Sequence, residues 1–199
     1  MDTIRSMILI LLFPVVANAA DWAQWRGPYF NGSTDETHLP MNWSQTENIE
    51  WSVELPGPGA ATPIVSGDHI FISSTDSESG KLLAMCRDRK SGELLWTRTV
   101  GSEIRKDSRS TFSSPSPATD GETVIFFFGN GEMIAYDFSG RQMWKQNLGP
   151  FAFGWTFSTS PVLYGGKLYM QILQNRGSGG DTESYILAMD PQSGKHLWK

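Results

Sequence analysis

Ser160-Pro161-Val162-Leu163, Gly165-Gly166, Lys167-Leu168-Tyr169-Met170-Gln171-Ile172, Tyr185-Ile186-Leu187-Ala188-Met189, Asp190-Pro191-Gln192-Ser193-Gly194 and Lys195-His196-Leu197-Trp198 follow one another at the end of the chain. Apolar runs alternate there with turn formers. The pattern predicts a four-stranded antiparallel meander, with tight turns after the first and third strands.

The same unit is written two more times upstream. Pro161 corresponds to Pro63 and Pro117, and each is followed four positions later by glycine: Gly165, Gly67 and Gly121. Trp198 corresponds to Trp96 and Trp144, each preceded four positions earlier by Gly194, Gly92 and Gly140. Before those glycines stand Asp190, Asp88 and Asp137. An Asp carboxylate bonds backbone amides two residues on and so opens a turn, and Gly accepts the positive φ that closes it. The tryptophan spacings are 48 and 54 residues, close to the ~40–50 residues of a propeller blade. Units of four strands hide their faces by stacking radially, whereas a solenoid repeat would carry fewer strands. The expected fold is therefore all-β: a β-propeller of four-stranded blades, with repeats near 60–100, 114–148 and 158–199. Tryptophans recurring at one place in each repeat are expected to pack between blades.

Residues 1–19 read as a secretory signal peptide. Arg5 opens it, Met7 to Val16 is apolar, and Ala17-Asn18-Ala19 is a small-x-small cleavage site. The expected location is periplasmic or extracellular, and no other stretch is long and apolar enough for a membrane helix. A net charge of −5 disfavours nucleic acid as a partner. Cys86 is the single cysteine, so no internal disulfide forms. Its setting in Leu82-Leu83-Ala84-Met85-Cys86 reads as a small buried hydrophobe. His38, His69 and His196 have no metal-ligand spacing, and no phosphate loop or nucleophile elbow is present.

Residues 20–47 form a lead-in rich in turn formers, whose tryptophans are expected to dock on the blades. Ile49-Glu50-Trp51-Ser52-Val53 reads as a lone final strand, because Trp51 lies 45 residues before Trp96. Three repeats and one strand do not close a ring of at least four blades. Missing blades are expected from a longer chain or from another copy. Thr123 to Phe128 is expected to be buried on both faces.

Variable loops on a rigid scaffold are the usual place for binding. The candidates are Arg105, Lys106, Arg109, Trp155, Arg176 and Asp181. Each also has a plain structural reading, as a solvated loop, a gap filler or a hairpin end. Asp76 and Glu78 form only a weak candidate for a hard cation. No metal site and no catalytic residue is assigned.

Ala188-Met189-Asp190 to Trp198, Ala135-Tyr136-Asp137 to Trp144 and the degenerate Met85-Cys86-Arg87-Asp88 to Trp96 resemble the tryptophan-docking repeat of the pyrroloquinoline-quinone-like propeller superfamily. Trp22-Ala23-Gln24-Trp25-Arg26-Gly27-Pro28 resembles the N-terminal segment of its exported bacterial members. That superfamily holds quinone-dependent alcohol and glucose dehydrogenases, which bind calcium beside the quinone and use an Asp base. It also holds cofactor-free propellers such as the scaffold subunit of the outer-membrane β-barrel assembly machine. No carboxylate of this chain matches the calcium or base positions. The expected function is a non-catalytic binding or assembly scaffold with an unidentified protein or small-molecule partner. The alternative is the N-terminal part of an alcohol or sugar dehydrogenase using pyrroloquinoline quinone and calcium.

Overall fold

A computed structural model describes residues 20–37, 39–102, 110–151, 155–174 and 183–199. The leader at residues 1–19 and His38 lie outside them, as do Arg105, Lys106, Arg109, Arg176 and Asp181.

Twelve strands form three four-stranded antiparallel sheets, each a meander in chain order. The first sheet is β1 (Ile64–Ser66), β2 (His69–Asp76), β3 (Lys81–Asp88) and β4 (Leu94–Gly101). The second is β5 (Ala118–Thr119), β6 (Thr123–Phe127), β7 (Glu132–Asp137) and β8 (Gln142–Asn147). The third is β9 (Val162–Tyr164), β10 (Lys167–Ile172), β11 (Tyr185–Met189) and β12 (His196–Trp198). The first strands of the sheets touch in the order β1, β5, β9, so the sheets fan out from a common inner edge. The arrangement is an open arc of propeller blades.

The register explains the periodicity. Ile64, Phe71, Cys86 and Trp96 lie opposite one another across the first sheet. Ala118, Ile125, Ala135 and Trp144 form the same row in the second, and Val162, Tyr169, Ala188 and Trp198 in the third. Cys86 thus takes the place that alanine holds in the other blades. It is fully buried, and burial pushes its thiol up to about 12. The face of the first sheet carrying its row packs on Val124, Phe126 and Phe128 of the second. The second sheet's row packs on Leu168, Met170 and Ile172 of the third. Consecutive side chains of β6 therefore enter two different cores, and Thr123 to Phe128 is buried throughout.

Trp51, Trp96 and Trp144 each close a joint with the sheet that follows, whereas Trp198, in the last strand, is 49% exposed. The indole N–H of Trp51 donates to the Arg89 carbonyl (3.0 Å), that of Trp96 to Phe138 (2.9 Å), and that of Trp144 to Pro191 (2.8 Å). The rings lie flat against the turn glycines: a Cβ on Gly92, Gly140 or Gly194 would stand 2.6, 2.9 or 2.8 Å from the indole. Positive φ and the approaching ring both require glycine at these positions.

One expectation fails here. Residues 49–53 form no strand, and the segment is irregular. Trp51 nevertheless occupies its joint, because the period reports the contact made by the indole and not the pairing of the backbone behind it. The lead-in docks only in part. Trp22 pairs with Val65 of β1, but Trp25 and Trp43 remain exposed.

Gly165 and Gly194 both have positive φ, but only Gly194 faces a ring. Gly165→Ala is expected to cost about 1 kcal/mol from backbone strain alone. Gly194→Ala is expected to cost roughly 2 kcal/mol more through displacement of Trp144, read as the difference in denaturant unfolding.

A candidate binding concavity at the inner edge

The lead-in is stitched across all three inner strands. Trp22 exchanges backbone hydrogen bonds with Val65 (2.9 and 3.0 Å). The Thr119 amide donates to the Ala23 carbonyl (2.9 Å), and the Leu163 amide donates to Gln24 Oε1 (2.9 Å). Val65, Thr119 and Leu163 each stand two residues after the repeat proline. Three successive lead-in residues therefore meet the same position of three successive blades. Asp21 anchors the strap by accepting from the Ser66 hydroxyl (2.8 Å) and the Gly67 amide (2.9 Å).

A second series of bonds follows the prolines. The amide of Thr62 donates to Ser116 Oγ (2.9 Å), and the amide of Ser116 donates to Ser160 Oγ (3.0 Å). These residues precede Pro63, Pro117 and Pro161. The recurrent hydroxyl before proline was visible in the sequence, and only its partner in the neighbouring blade was not. Proline carries no N–H, so the preceding amide is the donor left to reach across.

Where strap and connectors meet, a concavity of about 1250 Å³ opens. Its rim is Trp25 from the strap with Ser110, Ser114, Trp155, Ser158 and Thr159 from the blade connectors. Its floor is the outward face of the third sheet, with Val162, Tyr164, Tyr169, Gln171 and Ile186. Trp155 is 69% exposed. It is the one residue of the candidate set that falls within the described residues, and it lies on this rim. The strap residues and the hydroxyls were not anticipated.

No charged side chain lines the concavity among the described residues. Pyrroloquinoline quinone is an anionic tricarboxylate held with calcium, and it requires cationic and carboxylate neighbours. The described walls do not fit that group, and no chemical step is derived through it. Nor do the described residues contain a cluster of three metal-ligating side chains. Asp76 caps the amides of Glu78 and Ser79, so its carboxylate serves its own turn.

The turn aspartates carry the resolved carboxylate shifts of the repeat. Backbone and hydroxyl donation from Ser91 holds Asp88 below its usual range. The Ser139 hydroxyl holds Asp137 at about 2, and the Ser193 hydroxyl with its amide holds Asp190 low. A depressed folded-state value contributes stability above the unfolded value and loses it as pH falls through the folded one.

The geometry defines a class first: a propeller-type protein built of pyrroloquinoline-quinone-like repeats. Residues 34–199 match the family described as Outer membrane protein assembly factor BamB, and the chain belongs to that family. Solved structures are similar at low identity. A europium-containing methanol dehydrogenase aligns with TM-score 0.61 and 18% identity, over 89% of this chain and 31% of that one. The quinohemoprotein alcohol dehydrogenase of Comamonas testosteroni gives 0.50 and 21%, over 72% and 21%. BamB from Moraxella catarrhalis gives 0.45 and 15%, over 74% and 40%. This chain spans less than half the length of each of these structures. A comparison with curated proteins finds no match.

Acid should weaken the protein between about pH 4 and pH 2, as the turn carboxylates protonate. Asp137→Asn is expected to reduce that loss, measured as unfolding midpoint against pH. Trp155→Ala is expected to leave the unfolding free energy within about 0.5 kcal/mol of the parent, because the residue is largely exposed.

Proposed function

We propose that this chain is an exported, non-catalytic binding or assembly scaffold. The observation that carries the reading is the chemistry of the concavity's rim. Trp25 and Trp155 offer large rings, and the hydroxyls of Ser110, Ser114, Ser158 and Thr159 lie beside them, that of Ser114 accepting from the Thr111 amide (2.8 Å) and that of Ser158 donating to the Thr156 carbonyl (3.1 Å). That combination gives contact area at low entropy cost beside hydroxyls already held in place that keep further hydrogen-bonding capacity, as in protein-binding loops. The rim stands on blades whose joints are fixed by the indole contacts, so little order has to be acquired on binding. Membership of a family described by an assembly factor agrees with this. Export rests on the leader pattern of residues 1–19: Arg5, the Met7–Val16 apolar run and the Ala17-Asn18-Ala19 site.

The test is a titration of the purified mature protein with pyrroloquinoline quinone and calcium, followed by tryptophan fluorescence. A scaffold gives no saturable, calcium-dependent quenching. Saturable quenching, followed by alcohol-dependent dye reduction, would replace this reading with a quinone-dependent dehydrogenase.

A further inference from the structure

The joint at Trp51 differs from the other two in what holds it. At those two, the residue two places after the tryptophan reaches over to the turn glycine. Arg98 Nε donates to the Gly140 carbonyl (2.8 Å), and Gln146 Nε2 donates to that of Gly194 (3.2 Å). The same place after Trp51 is Val53, whose side chain has no donor. The Gly92 carbonyl is taken instead by Nη1 of Arg87 (2.7 Å), from the same sheet. Arg87 lies opposite Ile70 in the register, where Tyr136 lies opposite Val124 and Met189 opposite Leu168. A guanidinium thus stands where the other blades put a large apolar side chain. Arg87 is 8% exposed, its Nε has no partner, and no carboxylate among the described residues forms an ion pair with it. A buried cation in that state is costly to keep, and a carboxylate brought to it forms a charge-assisted hydrogen bond.

The segment after Trp51 crosses the face that Arg87 shares with Ile70, Ile72, Leu83 and Met85. At one end the Trp51 ring lies on Gly92 and its N–H on the Arg89 carbonyl. At the other, the hydroxyls of Ser74 and Thr75 donate to the carbonyls of Gly57 (3.4 Å) and Pro58 (2.8 Å). Between these ends, residues 52–56 make no hydrogen bond or ion pair with the described residues. Val53 and Leu55 are exposed, while Ile72, Leu83 and Met85 beneath them are buried. The segment is therefore pinned at its ends and loose in the middle.

We propose that residues 51–56 are a displaceable strap, and that the face of the first sheet beneath them docks an extended apolar segment of a partner protein whose carboxylate pairs with Arg87. Charge complementarity specifies the occupant. The strap's own Glu50 and Glu54 alternate with Trp51, Val53 and Leu55, are exposed and reach no cation. A partner with Asp or Glu at the place of Val53 supplies the acceptor that the strap lacks. Its apolar side chains cover Ile72, Leu83 and Met85 as the strap does. This surface is on the first sheet, whereas the floor of the concavity is on the third, so the inference stands apart from the scaffold reading.

The probe is a fluorescently labelled peptide of residues 48–58 carrying Val53→Glu, with a Val53→Gln peptide as its neutral match. The receptor is the purified mature protein carrying Trp51→Ala, which releases one end of the strap. Anisotropy titration is expected to show the Glu peptide binding about tenfold more tightly than the Gln peptide, the size of one charge-assisted bond. That advantage should vanish when Arg87→Gln is added to the receptor. The parent protein, whose strap competes, should bind the Glu peptide at least about tenfold more weakly than the Trp51→Ala receptor does. Equal affinity of the two peptides, an advantage that survives Arg87→Gln, or equal binding to parent and receptor overturns the proposal. A second measurement keeps Trp51 in place. Val53→Glu and Arg87→Gln made in the chain itself should couple by about tenfold in the unfolding equilibrium constant, and Val53→Gln and Arg87→Gln should be additive. Additivity in both pairs contradicts the pairing. Self-association of the Trp51→Ala protein in sedimentation, abolished by Arg87→Gln, also overturns the proposal, because the occupant is then the strap of a second copy. None of these outcomes bears on the quinone titration.

Discussion

A tryptophan ring lying on a turn glycine is the contact on which the rest of this structure depends. A four-stranded sheet with two apolar faces is not stable alone in water; it needs a neighbour on each side. Apolar burial is non-directional and does not by itself fix how the neighbours meet. The indole does. Its ring excludes any side chain at the glycine, and its N–H selects one carbonyl of the turn. The Asp carboxylate holds that turn in shape through the amides of the following residues, as Asp88 does for Lys90 and Ser91. The turn glycine carbonyl is held as well: Arg98 donates to Gly140 (2.8 Å) and Gln146 to Gly194 (3.2 Å). Each donor stands two residues after the tryptophan of the same joint.

With the joints fixed, the inner strands converge and a short strap suffices to cross them. Trp22, Ala23 and Gln24 each serve a different blade, which is possible only where the three strands lie close at one height. The connectors then open at that edge and form the rim of the concavity. Position thus passes from joint to inner strand to loop. The candidate surface is positioned by contacts made elsewhere in the blades.

The periodic part of this architecture was legible in the sequence because each joint uses residues with narrow physical requirements. Only glycine tolerates both the backbone angle and the ring, and only tryptophan supplies a large flat face with a donor. Trp51, Trp96 and Trp144 therefore marked their joints by spacing alone. The same spacing misled at Ile49 to Val53, where the tryptophan is in place but no strand pairs with the segment. Contacts between unlike elements were not legible. Nothing in Gln24 announces that its side chain stands in for a backbone carbonyl at Leu163. The hydroxyls of Ser116 and Ser160 resemble ordinary turn residues until the neighbouring amide is seen. The concavity draws one ring from the lead-in and one from a connector more than a hundred residues away, a juxtaposition that no local pattern encodes.

The claim that these joints are discrete, pairwise contacts is tested most directly by a double-mutant cycle on unfolding free energy. Trp96→Ala would be combined with Gly140→Ala, its own turn, and separately with Gly194→Ala, the turn that receives Trp144. The account predicts a coupling of about 1–2 kcal/mol in the matched pair, because the added methyl clashes only while the ring is present, and additivity in the mismatched pair. Equal coupling in both pairs, or none in the matched pair, would contradict it.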